Sequence, residues 1–202
     1  KIISKQEGQI VNISSIQPSL LATGIASEYG KDPRIMQLIL NESRRIVRMK
    51  NGIMITETSH GYVCANAGVD ESNVKEGYAT LLPKNPNKSA EMIRNKIKEK
   101  TGKNVIVIIS DTFGRPFRYG QTNVAIGFSG ISPITNYVGT KDNFGRILRV
   151  TEIATVDEIC SAAELVMRKS LHVPRGIVRN CNVDNMNATN DLNRSKSEDL
   201  FR

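Results

Sequence analysis

The sequence predicts a chain in which strands and helices are mixed, and three stretches predict it. Residues 55–65 read as a hairpin: an alternating apolar strand, a tight turn at Ser59-His60-Gly61 and a second strand over 62–65. Residues 105–110, VIVIIS, form an apolar run that is too short for a helix. Asp32-Pro33 opens a helix, an N-cap residue followed by Pro at the first helical position.

Taken in order, residues 2–13 predict a strand interrupted by SKQEG at 4–8, where Gly8 marks a bulge or turn. The helix from Asp32 sets Ile35, Leu38, Ile39, Ile46 and Val47 on one face. It is expected to carry Arg44, Arg45, Arg48 and Lys50 in its last turns, where cations complement the helix dipole. Beyond the hairpin, a Pro/Asn-rich connection over 82–87 leads to a helix over 89–100, with Met92, Ile93 and Ile97 inward and Gly102 just past its end. That helix feeds the VIVIIS strand, which is expected to end at Asp111. The stretch after it is dense in Gly, Arg and aromatic residues before a strand over 124–128. A loop carries Asp142 to Arg146, and residues 147–151 return as strand. Thr155-Val156-Asp157-Glu158 has the form of a capping box, opening a helix through Lys169 with Ile159, Ala162, Ala163, Val166 and Met167 available for packing. A last strand over 176–179 precedes a polar tail whose core potential is limited to Leu192, Leu200 and Phe201.

Chemistry concentrates where the two clearest strands stop. Asp70 follows Gly68-Val69, and Ser72 and Asn73 add short polar side chains that turn the chain or touch a phosphate. Asp111-Thr112 with Gly114-Arg115 answers it. Two carboxylates beside glycines suggest a shared hard cation, Mg²⁺ or Mn²⁺, since such ions take carboxylates, waters and phosphate oxygens. The competing reading is that both aspartates only initiate turns. Arg115 and Arg118 flank Pro116-Phe117 and either clamp a phosphate or carboxylate or serve the loop. Lys5 beside Gly8 reaches a phosphate as a point charge or is a surface lysine.

Composition narrows the class. The formal charge is +8 and the pI about 9.5, which favours anionic partners. No Trp, few aromatic residues and no RNP-like or zinc-finger pattern argue against nucleic acid and for a small polyanion such as a nucleotide. No apolar run approaches the roughly 18 residues of a membrane span. The chain is therefore expected to be soluble, and its start at Lys1, without Met or the h-region of a signal peptide, is read as that of a fragment whose N-terminal segment is missing. Cys64, Cys160 and Cys181 are widely spaced and fit buried thiols in a reducing cytoplasm better than disulfides or a zinc site, so a cytoplasmic protein is expected. With only His60 and His172, a histidine-rich metal site is excluded, and His60 and Glu57 are weak candidates for a base. GRPFRYGQT has five residues between its glycines and Gln121 where a P-loop has four and a lysine, and no GxGxxG is present.

Four segments together carry a resemblance: SKQEG at the start, ITETSHGYVCANAGVDESN, SDTFGRPFRYGQTNVAIG and the final EDLFR. The chain resembles the coenzyme F-420:L-glutamate ligase family, the F-420-0:gamma-glutamyl ligases, over residues 5–202. The resemblance implies one ligase domain over 1–202. It implies an α+β fold of mixed or antiparallel sheets with packed helices, two-domain and built into an intertwined homodimer. It implies a GTP-dependent ligase that adds L-glutamate to coenzyme F-420-0 through an acyl phosphate, then adds further gamma-linked glutamate. GTP is co-substrate, Mg²⁺ or Mn²⁺ serves at two sites, and K⁺ is a candidate further ion. Carried over motif by motif, Asp70 and Asp111 bind the first metal and are the catalytic pair, Thr112 lies at the second metal, and Lys5 and Asn73 contact GTP. Arg115 and Arg118 have no counterpart in those motifs and rest on the local reading alone. No nucleic acid or membrane partner is implied. The alternative is a non-catalytic relative that holds nucleotide or deazaflavin without turnover.

Overall fold

In the computed structural model, which describes residues 10–181, 183, 192–195 and 197–199, three short polar side chains start helices. Ser19 Oγ accepts from the Ala22 amide (3.2 Å), Asp32 Oδ1 from Arg34 (2.8 Å) and Asn85 Oδ1 from Lys88 (2.9 Å). Each satisfies one of the donors that a first helical turn leaves over. The chain divides into two compact units at Lys84 and Asn85.

The first unit contains β1 (Ile10–Asn12), α1 (Leu20–Tyr29), α2 (Pro33–Glu42), β2 (Ser43–Lys50), β3 (Ile53–Thr58), β4 (Val63–Ala65) and β5 (Tyr78–Thr80). Strands β2, β3 and β4 form one antiparallel sheet in that order, and β1 pairs β5 with Ile10 opposite Thr80. Its core is built from Ile13, Ala22, Met36, Ile39, Met54 and Ala79 among others. Each of the Ile and Met side chains, fully buried, contributes roughly 1.5–3 kcal/mol.

The second unit contains α3 (Pro86–Thr101), β6 (Val107–Arg115), β7 (Arg118–Ser129), β8 (Thr135–Asn136), β9 (Glu152–Ile153) and α4 (Thr155–Met167). The long β6–β7 hairpin is antiparallel, and β8 pairs β9. Gly127 of β7 touches the start of α3 so closely that a Cβ there would lie 2.4 Å from the Pro86 carbonyl carbon. On α4, Val156 and Cys160 pack on Ala125, with Ile108, Phe128 and Leu192 around them.

The α+β class, the turn at Ser59 to Gly61 and the helix start at Asp32-Pro33 agree with the sequence, but several expected elements differ. Helix α2 stops at Glu42, so Arg44, Arg45, Arg48 and Lys50 stand on β2 and not in a last helical turn. Ser43 takes an extended conformation and its hydroxyl donates to the Ile39 carbonyl (2.5 Å). The β-branched pair Ile46-Val47 then suits a strand, and four cations on an edge strand discourage further pairing. Helix α1 was not signalled by an apolar stripe, since Leu20 and Leu21 are exposed. Its caps were there: Ser19 before it and Gly30, at φ 62°, after it.

Met92 is exposed, and the inner face of α3 is Pro86, Ser89, Ala90 with half-buried Ile93 and Ile97. Residues 147–151 contribute a single bridge from Ile147 to Lys141, the strand being β9 one residue further on. The capping box does not form, because Thr155 is already helical and Ala154 is the cap. On α4, Val166 is exposed and Val156 and Cys160 carry the packing. Residues 176–179 are not strand. Of the thiols, Cys64 and Cys160 are buried and Cys181 is exposed. Among the described residues, no helix is long and apolar enough to cross a membrane.

Candidate functional site

Asp70 is reached through a turn with an uncommon backbone. Asn66, Ala67 and Gly68 take φ of 53°, 51° and 73°, the left-handed region, so the chain reverses within three residues after β4. Asn66 Oδ1 ties this turn to the Met54 amide (3.2 Å). Only glycine fits at 68, where a Cβ would meet Leu82 Cγ at 2.6 Å. Asp70 then pairs with Thr80, each amide donating to the other's carbonyl (3.1 and 2.8 Å), and Thr80 Oγ1 donates to the Asp70 carbonyl (3.0 Å). With its backbone fixed, the half-buried Asp70 accepts from the Ser72 amide (2.9 Å) and hydroxyl (2.8 Å). That is the turn geometry expected of a short acidic residue, and it also holds the carboxylate in one orientation. Asn73, exposed at φ 56°, follows directly.

Asp111 and Thr112 lie within β6, not at its end. The strand runs on to Arg115 because Thr112 and Phe113 pair with Asn123 and Thr122, all β-favouring partners save the asparagine. Consecutive strand residues point to opposite faces, and the pairing is regular from Ser110 to Gly114. Asp111 and Thr112 therefore present their oxygens on opposite sides of the hairpin. They cannot serve one ion with both side chains.

The Thr112 side belongs to a polar network that sequence reasoning missed. Thr112 Oγ1 donates to Asn123 Oδ1 (2.8 Å), and Asn123 Nδ2 donates to Glu164 Oε2 of α4 (3.1 Å). Asn123 is buried, 6% exposed. The Ser161 hydroxyl donates to the Asn123 carbonyl (3.0 Å) and meets Thr122 Oγ1 at 2.9 Å, while Asp157 Oδ1 accepts from the Ala125 amide (2.8 Å). Positions 157, 161 and 164 are spaced as one helix face, so α4 is held in register on β7 by polar links. Burial is the main cause that raises the Asp157 carboxyl above its ordinary value, offset in part by the Ala125 amide. Burial, with the Asp157 charge, pushes the Cys160 thiol up to about 12 against a smaller opposing effect of its bond with Ser110. Asn123 lies inside a motif already singled out, but nothing in the sequence pairs it with Glu164, 41 positions away.

The hairpin tip is a two-residue turn, Pro116-Phe117, with Phe117 at φ 61° and Arg115 opposite Arg118. Arg115 donates to the carbonyls of Tyr119 (2.5 Å) and Gly120 (3.3 Å), so its guanidinium is engaged by the hairpin itself, while Arg118 is exposed. His60 stands in its turn, stacked on Tyr62 (centroids 5.5 Å apart), with Nε2 3.2 Å from the Lys84 carbonyl. Glu57 is buried and accepts from Arg45 Nε and Nη2 (3.1 and 2.8 Å), with Arg44 3.8 Å away. A buried carboxylate so paired is a structural ion pair rather than a base. Lys5 lies outside the described residues, and Asp70 belongs to the first unit and Asp111 to the second.

Hard divalent cations take oxygen donors, and Asp70, Asp111 and Thr112 offer nothing else. The Thr112 hydroxyl, its proton committed to Asn123, keeps lone pairs for a cation. Among the described residues no group of three or more His, Cys, Asp or Glu is placed to hold a metal. Waters and phosphate oxygens would complete the shell, as is usual for Mg²⁺.

Known proteins resemble this sequence over most of its length. Residues 1–180 match the family model described as F420-0:Gamma-glutamyl ligase. The coenzyme F420:L-glutamate ligase of Methanocaldococcus jannaschii is 49% identical over 203 residues, covering 100% of this chain and 81% of the relative. That of Methanothermobacter thermautotrophicus is 49% identical over 88% of this chain and 71% of the relative. One from Methanococcus maripaludis is 46% identical over 100% of this chain and 82% of its own length.

Proposed function

Because this chain belongs to the F420-0:gamma-glutamyl ligase family, we propose that it is a coenzyme F420:L-glutamate ligase that uses GTP to join L-glutamate to coenzyme F-420-0 in the cytoplasm. The observation that carries this reading is 49% identity to a ligase of that name across 100% of the chain. A carboxylate is a poor acylating agent, so the terminal phosphoryl group of GTP first moves to a carboxylate oxygen of F-420-0 and GDP leaves. The glutamate amine then attacks the carbonyl carbon, loses a proton, and inorganic phosphate departs with the bonding electrons. Repetition on the gamma-carboxyl of the added glutamate extends the chain.

Such a reaction is mainly positioning and charge neutralisation. Asp70 and Asp111 are the ligands for a first divalent cation and Thr112 for a second, with Mg²⁺ or Mn²⁺ the suited ions and K⁺ a further candidate. When bound, these cations offset negative charge that develops on the phosphate oxygens. Lys5 and Asn73 contact GTP. Arg118 contacts phosphate or carboxylate, and Arg115 does so to the extent that its hairpin bonds allow. The two-domain arrangement and the intertwined homodimer of the family are adopted for this chain as part of the same reading.

The test is phosphate release from GTP, which must require both F-420-0 and L-glutamate and be matched by a product heavier by whole glutamyl residues. Asp70→Asn is expected to lower metal-dependent turnover about a hundredfold or more, since outer-shell partners alone are worth 10–100-fold. An Asp70→Asn enzyme with normal metal-dependent turnover sinks the role assigned to Asp70. Tight binding of nucleotide and deazaflavin with no product marks a non-catalytic relative.

A further inference from the structure

We propose that Glu164 and Asn123 are positioning residues that fix the polarity of the Thr112 hydroxyl, so that it faces its ligand with lone pairs only and selects a divalent cation over an anion. The proposal rests on the reading of Thr112 as a cation ligand and names how that ligand is prepared. A hydroxyl has one proton and two lone pairs, and which it offers depends on where the proton goes. An asparagine amide has nearly the same shape either way round, so its orientation is set by its partners. A carboxylate in its ionised form can only accept. Glu164 Oε2, 3.1 Å from Asn123 Nδ2, therefore turns the amide nitrogen toward α4 and the amide oxygen toward Thr112. Oδ1 in turn takes the Thr112 proton at 2.8 Å.

Two features keep the relay in this sense. Asn123 is buried, so water does not compete for its amide. Glu164 comes from a helix registered on β7 through Ser161 and Asp157, which hold their bonds to Asn123 and Ala125 independently of Thr112. A phosphate oxygen needs a donor and would find none at this hydroxyl, whereas a hard cation needs an oxygen lone pair and finds one. Partners of this outer kind orient metal ligands and are typically worth 10–100-fold in metal affinity.

Mn²⁺ binding to the full chain in the presence of GTP, without F-420-0, tests the proposal by electron paramagnetic resonance of the free ion. Glu164→Gln lets the amide at 123 turn either way, and it is expected to weaken one of the bound Mn²⁺ ions about tenfold. The double variant Asn123→Asp/Glu164→Gln reverses the polarity of that inner bond while leaving an acceptor opposite Thr112, and it is expected to restore the affinity. A merely structural role for the pair would not produce this rescue. Parent-like Mn²⁺ binding by Glu164→Gln overturns the relay, as does a folded double variant, judged by its thermal unfolding, that shows no recovery. Thr112→Val separates the two readings. If it loses one ion while Glu164→Gln keeps both, the relay fails and the cation site stands. If it binds both ions as the parent does, Thr112 is not a ligand and the site reading fails with it.

Discussion

Asp70 and Gly68 show how a carboxylate is placed by a residue with no side chain. The three successive left-handed residues before Asp70 bring Gly68 against Leu82, where a Cβ would sit 2.6 Å from Cγ. Gly68→Ala is expected to cost roughly 2–4 kcal/mol, the sum of a left-handed alanine and local overpacking. Gly77→Ala is the control, since Gly77 has φ 80° but nothing within 4 Å of its missing Cβ. It should cost only the conformational part, about 1–2 kcal/mol. Equal urea midpoints for the two variants would show that the Leu82 contact does not constrain the turn. At this level the sequence was informative about chemistry and silent about partners. Asp70 with Ser72, and Thr112 in its motif, could be picked out, but the Thr112–Asn123–Glu164 chain joins residues from three elements and leaves no local pattern. Glu57 reads as an available base only until Arg45, across the strand pair, is found donating to it.

Helix α4 and the β6–β7 hairpin meet through side chains that a linear reading assigns elsewhere. Asp157 resembles part of a capping box, yet in the fold it accepts from the Ala125 amide on β7. Its carboxyl is raised chiefly by burial, so the native state holds a proton over a pH range where the unfolded chain, near the ordinary 3.8, has lost it. With more protons bound in the native state, stability falls as pH climbs from about 3.8 through the raised value, and the contribution is whole only below the unfolded value of about 3.8. Asp157→Asn keeps an acceptor for Ala125 and removes the titration. The variant should therefore lose this downward slope and gain stability relative to the parent above the window, read from urea midpoints across a pH series. Parallel curves for the two proteins would refute a burial penalty at this carboxyl. The same contrast explains which elements were predictable. Asp32-Pro33 starts a helix through bonds to its own next residues, a local rule. Where α2 ends depends on Ser43 and on β2 finding β3, and where β6 ends depends on β7, so both boundaries were misplaced by residues whose partners lie across a sheet.

At the scale of the whole chain, net charge is the property that bears on its partners. At +8 the protein carries an excess of cations, while the proposed co-substrate GTP and the proposed phosphoryl acceptor are anions. Part of that excess sits in places with structural work: Arg45 holds Glu57, Arg34 holds Asp32 (2.6 Å) and keeps that carboxyl below its ordinary value, and Arg94 Nε donates to the Val105 carbonyl (3.0 Å). The remainder is spread over exposed positions such as Arg118 and the lysines of α3, where its effect is a field rather than a contact. A field of this kind draws a polyanion toward the protein and is screened over about 8–10 Å at ordinary ionic strength. Raising salt should therefore raise KM for GTP several-fold between low and about 0.5 M ionic strength, with little change in kcat, because dispersed charges do not act on the bond being broken. Tetramethylammonium chloride is the salt to use, at fixed Mg²⁺, so that screening is separated from any specific demand for K⁺. A kcat that falls while KM holds would place the exposed cations in the chemistry itself, and a KM indifferent to salt would reduce the net charge to a matter of solubility.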